Sequence, residues 1–556
     1  MTTTADALPG PTTAPEPYPL RWIALFVLLA AEVMDLLDAL ITNIAAPSIR
    51  ADIGGSASTI QWLGAAYTLA MAVGLITGGR LGDIVGRRRM FIIGALGFTA
   101  GSLLCAVSQS PETLIAFRGV QGIFGAVMLP QGLGLIKEMF SEKEMASAFG
   151  MFGPVMGLSS VGGPVLAGWL IGADYFGTGW RMIFLINLPL GLLAVLGGLK
   201  FLPESRAAKP PRLDLVGVVL AALASLLVVY PLVQGRELGW PAWTFVSMAV
   251  AVAVFGLFGW YESRKLRTGG DPLVVPSLFR KRGFTGGLIV GLVFFAGIAG
   301  FSLVFSLFTQ LGLGYSPLKA GLAGVPWSLG MVAGFGVAQA VQKFGRTVIH
   351  CGIVVMAGGV ASVVLTLHLA GIGVTPWQLI PALVLTGVGM GVLMAPFFDI
   401  VLAGVETHET GSASGALTAV QQLGSALGVA VLGTLFFGIL GSHVATAADS
   451  VAPKTLAAAG VSGPARDHLV VALRTCGRDR AAAKDQEQVS GSCVRLASEL
   501  RTAPAPVRRA VAEAAEVAAK RGFSDAMKLT LWVEVGLLGL TFAAAFLLPL
   551  RARPEE

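Results

Sequence analysis

Three carboxylates, Glu32, Asp35 and Asp38, lie in the stretch AEVMDLLDAL (residues 31–40), inside an apolar run from Trp22 to Pro47. The run is long enough to cross a membrane, which takes about 20 residues. On a helix each residue advances by about 100°, so the three acids fall within a sector of about 120° and form a ladder roughly 9 Å long. A central Asp facing lipid costs about 3 kcal/mol on insertion scales, so this face is expected to line a cavity or a bundle interior. Burial and like-charge neighbours both favour the neutral acid, which brings proton exchange within reach of physiological pH. Such a group takes a proton on one side of a membrane and releases it on the other; when ionised it can pair with a cation. Each inward proton gains about 2.3 kcal/mol per 100 mV.

Other residues in apolar runs invite the same question. Arg118, in a fourth run, stays charged when buried; it needs an acid partner, and a carboxylate of the first run is the obvious one. Asp399 in MAPFFDIVLAG (394–404) and Glu534 in LTLWVEVGLLG (529–539) are candidates for proton or substrate contact. Trp62, Tyr67, Phe294, Phe295, Phe301 and Phe305 are candidates to line an apolar cavity, where aromatic faces also hold organic cations.

The elements that must position these groups are membrane helices. Apolar residues make up 54% of the 556-residue chain and charged residues only 13%, against about 25% charged in soluble domains. Fourteen runs have spanning length: 22–46, 58–78, 90–108, 112–136, 145–171, 182–201, 213–234, 242–262, 284–311, 317–342, 347–370, 376–404, 413–440 and 526–549. Barrel strands would be about half as long. Residues 1–19 read as a disordered tail, 20–201 as a six-helix bundle, 202–283 as linkers around two inserted helices, 284–550 as a second six-helix bundle with a large loop at 441–524, and 551–556 as a second tail.

With both termini cytoplasmic, the short loops and tails on that side carry twenty-one Lys and Arg residues and those on the other side four, Arg50, Arg181, Arg236 and Lys319. That bias follows the positive-inside rule in a multi-pass plasma-membrane protein. The net charge of +7 is thereby read as topology, not as nucleic-acid binding. The loop 441–524 then lies outside, where Cys476 and Cys493 can form a disulfide. Residues 504–522, rich in Ala, read as helical, and the loop is a candidate cap or partner site.

The loop GRLGDIVGRRR (79–89) combines Gly79, Gly82 and Gly86, which permit a tight turn, with Asp83, Arg87 and Arg88; Asp83 can cap a helix or pair with a cation. The loop QKFGR (342–346) is a degenerate echo six helices later. Repeated halves of this kind place transporter sites at their interface. The run 149–169, FGMFGPVMGLSSVGGPVLAGW, is paved with small residues that allow close helix approach; its prolines bend it, as suits a hinge or seal.

GRLGDIVGRRR resembles the loop between helices 2 and 3 of the major facilitator superfamily. LLDALITNIAAPSI (36–49), QWLGAAYTLA (61–70), AFRGVQGIFGA (116–126) and WRMIFLINLPLG (180–191) are similar to motifs of its fourteen-helix drug:proton antiporter-2 branch. The fifth-helix antiporter motif is matched by Gly150, Gly163, Pro164 and Gly168, while Ser159 and Ala167 replace usual glycines. The resemblance implies the major facilitator fold, two six-helix bundles plus two inserted helices. It implies a role for Asp38 in coupling or substrate recognition and for Arg118 in proton coupling. The loop motif is implied to latch the inner gate.

Together these point to a proton-coupled antiporter exporting amphipathic, cationic organic compounds by alternating access, as a monomer. No cofactor is expected: the proton gradient drives it, and there is no Walker A sequence. No metal is expected, the five histidines being scattered, and an enzyme finds no nucleophile motif. The alternatives are a lipid or metabolite exporter of the same fold, and a membrane sensor or receptor.

Overall fold

The computed structural model describes residues 18–141, 144, 148, 151–206, 212–406, 409–482 and 490–550, and among these there is no strand. The expected tails lie outside these residues apart from Tyr18 and Pro19, and so does Gly150. The helices are α1 (Arg21–Ile53), α2 (Ala57–Val85), α3 (Arg87–Ala106), α4 (Pro111–Met139), α5 (Phe152–Ala173) and α6 (Gly179–Phe201, entered through short turns). An inserted pair follows, α7 (Leu215–Leu238) and α8 (Ala242–Arg267). Then come α9 (Arg282–Leu307), α10 (Pro317–Val341), α11 (Arg346–Ala370), α12 (Pro376–Leu402), α13 (Thr410–Ala458), α14 (Gly463–Ala482), α15 (Gly491–Arg501) and α16 (Ala505–Ala545).

Local chemistry sets many boundaries. Ser110 and Ser316 accept hydrogen bonds from the amides of Thr113 and Lys319, each followed by a proline in the first turn, where its missing N–H costs nothing. Gly86 turns the chain from α2 into α3 at φ +124°, a conformation that a side chain would oppose.

Among the described residues each expected run falls mainly on a helix; of the run 145–171, residues 145–147, 149 and 150 lie outside them. Among the described residues, twelve helices meet a length and composition test for crossing a membrane. The two other expected spans are α1, whose 33 residues include the three carboxylates, and α5, with 22 residues.

α1 to α6 form one bundle, and α9 to α13 with α16 form the other. The bundles meet along two seams, α5 against α10 and α2 against α13. The α7–α8 pair packs on itself and lays α7 against both α2 and α13, so the insert bridges the second seam. One face of the molecule carries both ends of the described chain, Tyr18 and Leu550: Tyr18 N–H donates to Met139 O (3.2 Å) and Arg346 N–H to Leu550 O (2.9 Å). We call this the terminal face.

Most of the region expected as a large loop is helix, including the Ala-rich 504–522, which was expected to be helical and falls on α16 from Ala505. α13 is 49 residues long and α16 is 41. At 1.5 Å per residue they reach about 74 and 62 Å, far beyond a hydrocarbon layer about 30 Å thick. Their far halves, with α14 and α15, enclose a separate apolar core that includes Val451, Leu456, Leu473, Leu496 and Val511. Cys476 and Cys493 are joined by a disulfide that ties α14 to α15.

Candidate functional site

Asp38 is buried within the first bundle, and donors reach it from two other helices. Its Oδ2 accepts from Arg118 Nη1 of α4. Its Oδ1 accepts from Gln121 Nε2 (2.9 Å) and from Asn187 Nδ2 of α6 (2.8 Å). Arg118 is 1% exposed, donates through Nε to Leu63 O (3.1 Å) and through Nη1 to Gln121 Oε1 (2.6 Å), and lies 4.3 Å from the centre of the Tyr67 ring. Ser102 of α3 closes the network, accepting from Gln121 (2.7 Å) and Asn187 (3.1 Å). The charges of Asp38 and Arg118 therefore compensate each other inside the protein, as a buried pair must.

Asp35, one turn away, is equally buried but differently served. Tyr67 OH donates to its Oδ1, and no cation pairs with it among the described residues. Gly125 of α4 faces both groups: a Cβ there would lie 3.4 Å from Tyr67 Oη and 3.5 Å from Asp35 Oδ1. Glu32 is half-buried and has no hydrogen-bond partner among the described residues. The ladder read from the sequence thus becomes a gradient of compensation, from the closed Asp38 through Asp35 to the open Glu32.

The helices approach closely enough for this because glycines line their contacts. A Cβ on Gly122 would stand 2.5 Å from Tyr67 O, and one on Gly78 would stand 2.1 Å from Ala126 O. The α2–α4 contact therefore admits no larger residue at these points without movement.

The matched family model is that of the Major Facilitator Superfamily, over residues 28–429. The chain belongs to that superfamily. Among similar proteins, the probable actinorhodin transporter of Streptomyces coelicolor is 50% identical, covering 99% of this chain and 96% of the relative. The puromycin resistance protein pur8 of Streptomyces alboniger is 36% identical over 77% of this chain and 84% of the relative. The multidrug efflux pump LfrA of Mycolicibacterium smegmatis is 31% identical over 84% and 90%. A solved bacterial homologue of the human lysosomal transporter Spinster, in an inward-facing and unoccupied conformation, shares the fold. Its TM-score is 0.57 at 15% identity, covering 95% of this chain and 98% of that one. The protein is a multi-pass membrane transporter, not an enzyme.

The loop motif of this superfamily member forms a compact knot on the terminal face. Asp83 accepts from Arg87 Nε (3.2 Å) and Nη2 (2.9 Å), so it pairs with a cation and does not cap α3. Arg87 also binds Glu138 of α4, and its backbone N–H donates to Ser205 O (2.9 Å); Arg88 donates to Leu199 O. Gly79 and Gly82 do not form the expected turn but lie within α2, and Gly86 alone makes the bend; Gly82 faces Gln131 of α4 at a distance that a Cβ would close to 1.8 Å, and Gly79 faces Pro130 at 3.6 Å.

On α5, Gly163 faces Leu37 and Leu40 of α1, whereas Gly168 would place a Cβ 2.3 Å from Leu318 Cα of α10. Pro164 O lies 2.2 Å from where a Cβ of Gly321 would stand. Of the antiporter-motif positions described, Pro164 and Gly168 thus line the first seam, while Gly163 packs within the first bundle.

Other expected positions are elsewhere. Trp62 faces the insert: its Nε1 donates to Gln234 Oε1 of α7 at 3.4 Å and its ring packs near Tyr230, because α7 lies against that side of α2. Tyr67 is a hydrogen-bond donor in the bundle core. Phe294, Phe301 and Phe305 are buried in the second bundle, Phe301 against Trp327 at 5.1 Å, and Phe295 packs toward Phe397. Asp399 is exposed near the terminal-face end of α12, where its Oδ2 accepts from Gln342 Nε2 at 3.4 Å. Glu534 is buried in α16.

Sequence reasoning did not assign roles to Asn187, Ser102 or Arg80. Arg80 donates to Arg212 O (3.0 Å), Asp271 O (3.2 Å) and Leu273 O (3.2 Å), fastening both linkers of the insert to α2. Its place one residue after Gly79 in the loop motif was the available signal.

Proposed function

We propose that this chain is a proton-coupled antiporter that exports amphipathic organic compounds, cations among them, by alternating access. It works as a monomer in the plasma membrane with both ends cytoplasmic and with no cofactor beyond the proton gradient. The observation that carries the reading is the pairing of unlike acids on α1: Asp38 is neutralised within the protein, and Asp35 beside it has a phenol for a partner and no cation. Asp35 is the group that gains and loses a proton as the site changes access, with Tyr67 steadying either form. The fixed Asp38–Arg118 pair holds α1, α4 and α6 in register around it. A cationic substrate competes with the proton for the ionised acid, and Glu32, more open, meets it first. The names of the relatives, a probable actinorhodin transporter, a puromycin resistance protein and a multidrug efflux pump, support export.

The test is proton release from purified protein on adding a lipophilic cation. Release in the wild type that vanishes in Asp35→Asn, with the folded state intact, is expected. Cation binding without release in the wild type would remove proton–substrate competition from the reading. Release that survives in Asp35→Asn and vanishes in Asp38→Asn would move the exchange to Asp38.

A further inference from the structure

A second buried acid lies outside this site. Glu534 of α16 is 1% exposed, and neither carboxyl oxygen has a hydrogen-bond partner among the described residues. An ionised carboxylate in that position would have neither counter-charge nor donor, a cost that buried groups avoid by staying neutral. The lid over it is backbone: Gly297 of α9 approaches so closely that a Cβ would lie 2.7 Å from Glu534 Oε1.

α9 is also a gate element. Nine residues beyond Gly297, about 14 Å along the helix, Ser306 Oγ donates to Asn43 O of α1 (2.9 Å), and Gln310 Nε2 donates to Ile44 O (3.0 Å). These bonds close the two bundles against each other on the side remote from the chain ends. The helix passes there into a π-helical turn, Phe308–Gly312, a departure from α geometry that is frequent at functional sites.

We propose that Glu534 is a proton-binding site of the second bundle that controls closure of α9 on α1. Protonated, the carboxyl tolerates burial beneath Gly297 and α9 stays seated. When its proton passes to water, the charge demands solvation, α9 withdraws from α16, and the Ser306 and Gln310 bonds to α1 break. Reprotonation reverses the motion. The elements packed on α16 are α9 with its π-helical turn, α11, α13 and, in the outer unit, α14, which carries Arg466, Asp467, His468, Arg474, Arg478, Asp479 and Arg480. α9 carries only Arg282, at its start; α11 carries Arg346, His350, Cys351 and His368; α13 carries no titratable residue between Thr410 and His443. On α16 itself the nearest charge is Lys528, paired with Asp525 at 2.5 Å. The proposal rests on the alternating-access reading, but it does not involve Asp35.

The experiment uses full-length protein in lipid nanodiscs without substrate. Cys105 and Cys351 are replaced by Ala, and spin labels are placed at Ala51→Cys and Lys319→Cys, both exposed on the gate side. The interlabel distance should lengthen as pH rises and shorten again on acidification. Glu534→Gln, a neutral isostere, should hold the short distance at every pH. Gly297→Ala, which keeps the acid but crowds it, should favour the long distance. The pH response should persist in Asp35→Asn, which separates this proposal from the one above. A wild-type distance indifferent to pH, or a Glu534→Gln protein that titrates like wild type, would overturn it.

Discussion

At the residue scale, the telling contrast is between two aspartates three positions apart. Asp38 receives a guanidinium and two amides; Asp35 receives one phenol. The sequence was enough to place the acids on one face and to require a partner for Arg118, because 100° spacing and the cost of buried charge are local facts. The family resemblance singled out Asp38, but nothing in the sequence showed that the two acids have different partners, because the difference lies in which side chains of α2, α4 and α6 reach them, and helix–helix register is not written in one helix. The arginine is asked for more than charge: its fork spans Asp38, Gln121 and Leu63 O. Arg118→Lys should therefore fail despite keeping the charge, because a single ammonium cannot reproduce three directed bonds. Leaving a buried pair poorly matched costs about 3–5 kcal/mol at its worst. We expect a lower thermal unfolding midpoint in detergent and loss of substrate efflux from vesicles. A Lys variant with wild-type midpoint and efflux would reduce the guanidinium to a point charge.

At the element scale, glycine and proline place the helices. The expectation that residues 149–169 form a hinge or seal follows from small residues and prolines, and α5 does lie in the first seam, between α1 and α10. What the sequence did not show is which glycine meets which bundle: Gly163 turns toward α1 and Gly168 toward the backbone of Leu318 in α10. The same limit explains Trp62, whose amphipathic ring suited a cavity equally well until α7 filled the space. Gly168→Val should act on the seam alone. Overpacking costs about 1–3 kcal/mol, and here it falls on the state in which α5 and α10 are in contact. That corresponds to a shift of roughly 5–150-fold in the closed–open equilibrium. The expected outcome is a protein that folds and inserts normally, transports poorly, and shows increased labelling of a cysteine placed at Lys319. Normal transport with Val at 168 would mean that the seam has slack.

At the scale of the whole molecule, the all-helical, membrane-spanning fold class was legible because hydropathy is a property of composition and length. The region after Gly441 was legible in part: the Ala-rich helix at 504–522 and the Cys476–Cys493 bridge were, whereas the helical extension of α13 and the docking of α14 and α15 were not, since helices that leave the membrane lose their apolar signal while keeping their backbone form. α13 and α16 carry their helical geometry past the membrane, and α14 and α15 dock on that extension with a core of their own. The disulfide belongs to this outer unit and not to the transport path: it joins α14 to α15, whereas Asp35 and Asp38 lie in the other bundle. Closing a loop of this size contributes about 3 kcal/mol by restricting the unfolded chain. Its removal by Cys476→Ser with Cys493→Ser should therefore loosen the outer unit and leave the bundles unchanged. Limited proteolysis should cut the α14–α15 region faster, and efflux should remain close to wild type. Should efflux fall in parallel with protease resistance, the outer unit would be mechanically coupled to the bundles through α16, the helix that also carries Glu534. In that event the double variant combined with Glu534→Gln should lose no further efflux, since both changes would then act on the same motion of α9.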